Sequence, residues 1–433
     1  MRNLLFCLVT IVISSNFLFS QDSLKSFKYD QKARAFLLKK EYAESVKWYK
    51  KAIKKDSNNY SAFNELGVAI YRLGDLKEAL NCYNRAIKIA PERVAAFENR
   101  GNVYSDLGEH EKALDDLNSV INLGQVSSHI LNNRGRVRNE IGDSDGAIID
   151  YTRAIELNNN NAASYNNRGV CYMEQEKNEQ AINDYLMAIK IDSTYAAAYY
   201  NLGKLLVKPF KKYDEAIFNL KKSIALGLST LNLDIVADAY YNIGHSYYFK
   251  RDFKRSIPYY TKAIESNAFS DSVKAGMLFG RGSAYGYLGK LNYAMNDFEV
   301  VLAIDSTFIG VRTNRALLIY DIRGEYANAI KEMEDEIRLR SLLDSNQVSP
   351  YDINNLGYLY HKNGNSMKGM ELVHKSISMD SSNSYAYRNL SEILINLKKK
   401  EEACEAANKA IELGFQVRYG DEILEIQQEA CKE

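Results

Sequence analysis

The sequence predicts an all-α solenoid of about eleven stacked helix pairs closed by a C-terminal capping helix, and three observations carry that prediction. The chain repeats itself with a 34-residue period, small residues recur at two fixed places in every period, and only 4 of its 433 residues are proline. A period of this length is one helix–turn–helix unit, which buries its apolar face only by stacking on its neighbours. Repetition also overrides the length prior, which would divide the chain into two or three compact domains.

The period is clearest between Ser61 and Asp192, where FNELGVAIYRLGDLKEALNCYNRAIKIAP from Phe63 to Pro91 recurs as YNNRGVCYMEQEKNEQAINDYLMAIKID from Tyr165 to Asp192. With the first repeat counted from Ser26, position 8 holds a small residue in all eleven repeats, among them Ala33, Gly67, Gly135, Gly203, Gly282 and Ser391. Position 20 is equally strict, from Ser45 and Ala79 through Gly369 to Ala403. Glycine inside a helix costs about 0.5–1 kcal/mol against alanine, so its recurrence calls for two backbones in close approach. Position 11 (Ile70, Tyr104, Tyr172) and position 24 (Tyr83, Tyr151, Tyr185) are large and fill the space between helices, with Arg138 the exception at position 11. Much of the excess of 32 tyrosines is thereby repeat core, and an aromatic binding surface is the alternative reading.

This pattern of large and small positions is similar to the tetratricopeptide repeat family, and the resemblance covers about residues 26–417. It implies a right-handed superhelical solenoid with a concave groove lined by the first helix, A, of each pair, and protein or peptide partners. Helix B of each pair then lies behind. Repeats one to six form a regular block, 21–230. Insertions near Leu231–Val236, Asp271–Lys274 and Leu342–Ser349 mark a less regular block, 231–417, with a bend expected near residue 231 and a capping helix over 418–433.

Five repeats depart from the family pattern together. Position 7 is Arg100, Arg134, Arg168, Arg281 and Arg315, and the same five alone carry an acid at position 23: Asp116, Asp150, Asp184, Asp297 and Glu332. Elsewhere an apolar residue such as Leu66 faces Cys82. Both positions border the core stripe, so each matched pair predicts a structural ion pair between helices A and B.

The opposite stripe of helix A carries asparagine at position 6 in eight repeats: Asn99, Asn133, Asn167, Asn201, Asn242, Asn314, Asn355 and Asn389. Asn132, Asn166 and Asn354 add amides at position 5. A row of primary amides offers donors and acceptors to the backbone of an extended peptide. Two readings stand, a peptide-binding ladder resembling those of some superhelical members of the family, and repeat heritage without a ligand. The family's basic clamp for chaperone tails is not matched, since position 2 holds residues such as Ser61, Ala95, His129 and Ala163.

The first twenty residues hold Arg2, an apolar run from Leu4 to Ile13 and no acid, which reads as a secretory signal peptide over 1–20, with an uncleaved anchor as the alternative. Its removal takes Arg2 alone and leaves 55 positive and 55 negative side chains from the 56 and 55 of the whole chain. No basic excess exists to bind nucleic acid. An exported chain permits disulfides, and an antiparallel capping helix places Cys431 beside Cys404. The tail also resembles those of exported tetratricopeptide proteins of Bacteroidota-type bacteria. A Cys404–Cys431 bond is expected, with free thiols as the alternative, and Cys82 and Cys171 read as small core residues.

The five histidines have no metal-ligand spacing, and no phosphate loop, dinucleotide fingerprint or nucleophile elbow occurs. A non-catalytic scaffold without cofactor is expected, exported to the periplasm, an outer-membrane-associated site or the exterior, and recruiting extended protein segments. The alternative is a structural subunit of an envelope or secretion complex that contacts folded partners.

Overall fold

The structure, a computed structural model, describes residues 21–227, 233–266, 269–344 and 348–432. The expected signal peptide and the expected bend near residue 231 lie outside the described residues. Among the described residues every regular element is helical. The chain clusters into two compact units, Met1–Leu202 and Gly203–Glu433.

The first unit opens with five helix pairs. Gln21–Leu38 packs on Tyr42–Lys55, Tyr60–Arg72 on Leu76–Ile89, Val94–Asp106 on His110–Asn122, Ser128–Glu140 on Ser144–Leu157, and Ala162–Glu174 on Asn178–Ile191. Each second helix also packs on the first helix of the next pair, which makes the stack continuous within the unit. The second unit repeats the plan through Leu233–Phe249 with Phe253–Glu265, Asp271–Tyr287 with Leu291–Ile304, Pro350–Lys362 with Ser366–Met379, and Ser384–Asn396 with Lys400–Glu412. Ala196–Val207 and Tyr213–Ala225 are the helices of the sixth repeat.

Local chemistry starts and stops these helices. Asn59, Asp75, Ser127, Asp143, Asn161 and Asn383 each accept a backbone N–H in the first turn of the helix they precede, the usual service of an N-cap side chain. Between helices A and B the chain needs one left-handed residue at position 15. Gly74 and Gly142 supply it at φ 88° and 84°, while Lys40, Glu176, Arg251 and Lys398 adopt it at 58–61°. The tight turn is therefore kept even where a side chain makes that conformation costly, by roughly 1–2 kcal/mol.

The small residues at position 8 lie under the rings at position 24. A Cβ added at Gly67, Gly135 or Gly169 would sit 2.5 Å, 2.8 Å or 2.8 Å from the ring of Tyr83, Tyr151 or Tyr185, each of them buried. In the tenth repeat Gly357 and Gly369 face each other's backbone, and a Cβ on either would meet the other's carbonyl oxygen at 2.8 or 2.7 Å. Where serine replaces these residues it bonds across the same crossing. Ser45 Oγ donates to the Ala33 carbonyl at 2.9 Å, and Ser391 Oγ to that of Ala403 at 2.8 Å.

Two of the insertions lengthen helices. Asp271–Lys274 adds a turn to the 17-residue helix Asp271–Tyr287, and Leu342 and Leu343 end the 18-residue helix Tyr326–Leu343. The ninth repeat is the irregular one. Its helix A is five α-residues, Val311–Arg315, followed by a π-helical turn, Ala316–Tyr320. The expected capping helix is Glu422–Ala430, and a short additional helix, Phe415–Tyr419, precedes it between Gly414 (φ 80°) and Gly420 (φ 112°). Phe415 is buried against Tyr385, with ring centroids 5.8 Å apart, and Ile423 and Ala430 close the last core.

Candidate peptide-binding groove

The asparagine row is built by register. Each helix A repeats its predecessor one period later, and position 6 of one repeat meets position 5 of the repeat before it. Asn99 Nδ2 donates to Asn64 Oδ1 at 3.0 Å, Asn167 to Asn132 at 3.2 Å, Asn201 to Asn166 at 2.9 Å, and Asn389 to Asn354 at 3.1 Å. All four pairs are 35 residues apart in sequence. One N–H of each of these four amides thus ties neighbouring repeats together and fixes the orientation of its side chain.

The eight members are not equivalent. Asn99, Asn167, Asn201, Asn314 and Asn355 are half-buried, whereas Asn133, Asn242 and Asn389 are buried. Asn389 also accepts from Arg388 Nη1 at 2.9 Å, and Asn242 turns its amide back onto the carbonyl and carboxylate of Asp238. Asn133 faces His129 Nε2 at 3.2 Å, and Asn314 donates to Ser283 Oγ at 2.7 Å. Asn242 and Asn389 are thus held by internal partners.

The five position-7 arginines all meet their acids. Arg100, Arg134, Arg168 and Arg281 grip Asp116, Asp150, Asp184 and Asp297 by two parallel bonds from Nε and Nη2, at 2.6–2.9 Å. Each sends its remaining Nη1 to helix B of the preceding repeat, where Asn84, Asn118, Thr152 and Thr261 accept. Repetition within one period does not show that second contact, because the acceptor belongs to the previous one. Arg315 differs: Nη2 lies 3.3 Å from Glu332 and bonds the Tyr320 hydroxyl, at the start of the π-helical turn. Arg138, the exception at position 11, lies 3.1 Å from Asp150 and gives that acid a second cation.

Cys404 and Cys431 are joined by a disulfide that ties the capping helix to helix B of the last repeat. Cys82 and Cys171 are free and buried, and burial pushes both thiols up to about 12. Among the described residues no group of histidine, cysteine and acidic side chains is placed to hold a metal, and no helix is long and apolar enough to cross a membrane.

The repeat profile described as "TPR repeat" matches residues 33–74, 69–108, 135–175 and 171–208, and that described as "Tetratricopeptide repeat" matches 94–123, 196–226, 237–269 and 384–413. Together they span more than half of the chain. It is a tetratricopeptide repeat protein. No curated protein sequence matches this tetratricopeptide repeat protein. Among solved structures it is similar to a tetratricopeptide repeat protein from Parabacteroides merdae, at 21% identity and TM-score 0.48, over 60% of this chain and 99% of that one. The APC/C hetero-tetramer Cut9–Hcn1 is similar over 95% and 99% of the two chains, at 12% identity and TM-score 0.49. YrrB, described as a TPR protein with an unusual peptide-binding site, is similar over 41% and 92%, at 21% identity and TM-score 0.35.

Proposed function

We propose that this tetratricopeptide repeat protein is a non-catalytic scaffold that recruits extended protein segments along the helix A groove, in the cell envelope or outside the cell. The observation that carries the reading is the amide register. Inter-repeat bonds hold Asn99, Asn167 and Asn201 in one orientation and leave each half-buried at the groove. Pre-oriented amides bind a peptide backbone with less loss of side-chain entropy than free ones. Because backbone groups are common to all sequences, the groove captures extended segments with little dependence on sequence. The leader-like residues 1–20 and the Cys404–Cys431 disulfide support an oxidising compartment.

The test is fluorescence anisotropy of labelled extended peptides with the chain lacking residues 1–20. Capture is expected to weaken about tenfold or more when Asn99, Asn167 and Asn201 are changed together to Ala, at one or more backbone hydrogen bonds lost. Unchanged capture would exclude the ladder. No capture at all, together with co-purification of a folded assembly, would replace this reading with that of a structural subunit.

A further inference from the structure

The first interface of the stack breaks the amide register. Position 5 of the first repeat is Asp30 and position 6 of the second is Glu65, again 35 residues apart, where four other interfaces set an amide donor against an amide acceptor. Two carboxylates stand at these positions instead, close enough for Glu65 to act through space on Asp30. Asn99 donates to Asn64, and Asn64 donates to Glu65 at 3.2 Å, so a short relay of donors ends on the Glu65 carboxylate.

Asp30 is 7% exposed, and its Oδ1 is buried without a hydrogen-bond partner among the described residues. Burial and the neighbouring Glu65 both hold its carboxyl above the usual range. Arg34, one turn on, acts on it only through space. The Tyr49 hydroxyl, which feels both acids, is likewise buried without a partner. A buried acceptor lacking its donor is destabilising, and more so when charged. Such a cost is relieved by a ligand that brings the donor.

Asp30 also lines a cleft of about 580 Å³. Phe27 and Tyr60 give it apolar walls, and Arg34, Glu92 and Arg93 stand around it. Arg93 is laid over the Tyr60 ring at 4.7 Å, and the Tyr60 hydroxyl accepts the Ala96 N–H. The cleft is wide enough for one long side chain.

We propose that Asp30 and Glu65 form a receptor for a cationic side chain, arginine or lysine, carried by the segment bound in the groove. A guanidinium has five donors in a planar fork and no acceptor, which suits Asp30, whose Oδ1 lacks a donor, beside Glu65, whose one donor is the neutral Asn64 amide. The amides downstream hold backbone of any sequence, so this end fixes register and direction. The inference rests on the groove reading above and adds a chemical class to it.

The test uses the chain lacking residues 1–20 and two fluorescein-labelled extended Ser/Ala peptides, one with a single arginine and one with citrulline in its place. Citrulline keeps the shape and loses the charge. Wild type is expected to bind the arginine peptide about tenfold more tightly, the scale of one charge-assisted contact. Asp30→Asn is expected to abolish the preference while raising the thermal midpoint, because it removes a buried, unpartnered carboxylate from beside Glu65. Glu65→Gln is the second variant, with the same expected loss. Equal affinity for both peptides overturns the receptor and leaves the groove standing. A preference that survives both substitutions overturns the assignment to these acids. Failure to bind either peptide overturns both readings.

Discussion

Arg168 holds Asp184 by two parallel bonds, each 2.8 Å, from Nε and Nη2, across the crossing of helices A and B in the fifth repeat. The side chains are 17% and 7% exposed, so the pair is largely desolvated. Removing one partner strands the other charge. Arg168→Leu is therefore expected to cost about 3 kcal/mol, and the double change with Asp184→Leu to cost less. Other repeats already carry such apolar pairs, as Leu66 with Cys82 does. Arg134→Leu is expected to cost less than Arg168→Leu, because Arg138 remains 3.1 Å from Asp150. Thermal midpoints and hydrogen exchange of these three variants, with Asp184→Leu to complete the cycle, check the ranking. An additive cycle would overturn the pairing energy.

The helix pairs, the five ion pairs and the partners of the disulfide were legible because each recurs within one period or lies at a fixed place in the stack. What escaped sequence reading lies between periods. Asn118 accepts from Arg134 and Asn132 from Asn167, and neither contact shows when each repeat is compared only with itself. A search pairing position 7 with position 25 of the preceding repeat would have found Asn84, Asn118, Thr152 and Thr261. The burial of Asn389 was hidden for the same reason, since Arg388 and Asn354 take its polar groups. The π-helical turn at Ala316–Tyr320 left no composition signal, as ALLIY is equally suited to an α-helix.

His245 makes stability depend on acid. Burial, aided by Lys208, lowers its pKa from 6.5 to about 4. Its ring lies edge-on to Phe249 at 4.6 Å and beside Tyr241 at 5.5 Å. The unfolded chain binds the proton more tightly than the folded one, so stability present above pH 6.5 is lost as pH falls toward 4. The loss is expected to reach about 2 kcal/mol by pH 5. His245→Phe keeps an aromatic ring and is expected to reduce the drop in thermal midpoint between pH 7 and pH 5. An unchanged drop would assign it to other groups.

Two helical glycines should respond oppositely to alanine. At Gly67 the new Cβ would stand 2.5 Å from the buried Tyr83 ring, and overpacking of that kind costs about 1–3 kcal/mol. At Gly276, in the helix Asp271–Tyr287, nothing lies within 4 Å. Gly276→Ala is expected to gain about 0.5–1 kcal/mol from helix propensity alone. Thermal melts of the two single variants decide it, and a stabilised Gly67→Ala would refute the close approach.

The disulfide is expected to act locally. It closes a loop spanning 27 residues, which by chain entropy stabilises the ordered tail by about 3 kcal/mol. The cap contributes only Phe415, Ile423 and Ala430 to the core of the last repeat, so it is expected to loosen without the bond while the first unit is unaffected. Cys404→Ser is expected to raise amide exchange over residues 415–432 and to leave residues 21–191 unchanged. Native alkylation of the chain lacking residues 1–20, which hold Cys7, is expected to label no cysteine without reductant, since Cys82 and Cys171 are buried with their thiols pushed up to about 12. After gentle reduction, label should appear on Cys404 and Cys431 alone. Label on Cys431 before reduction would refute the bond, whereas label on Cys82 or Cys171 after it would show that the cap holds the whole stack closed.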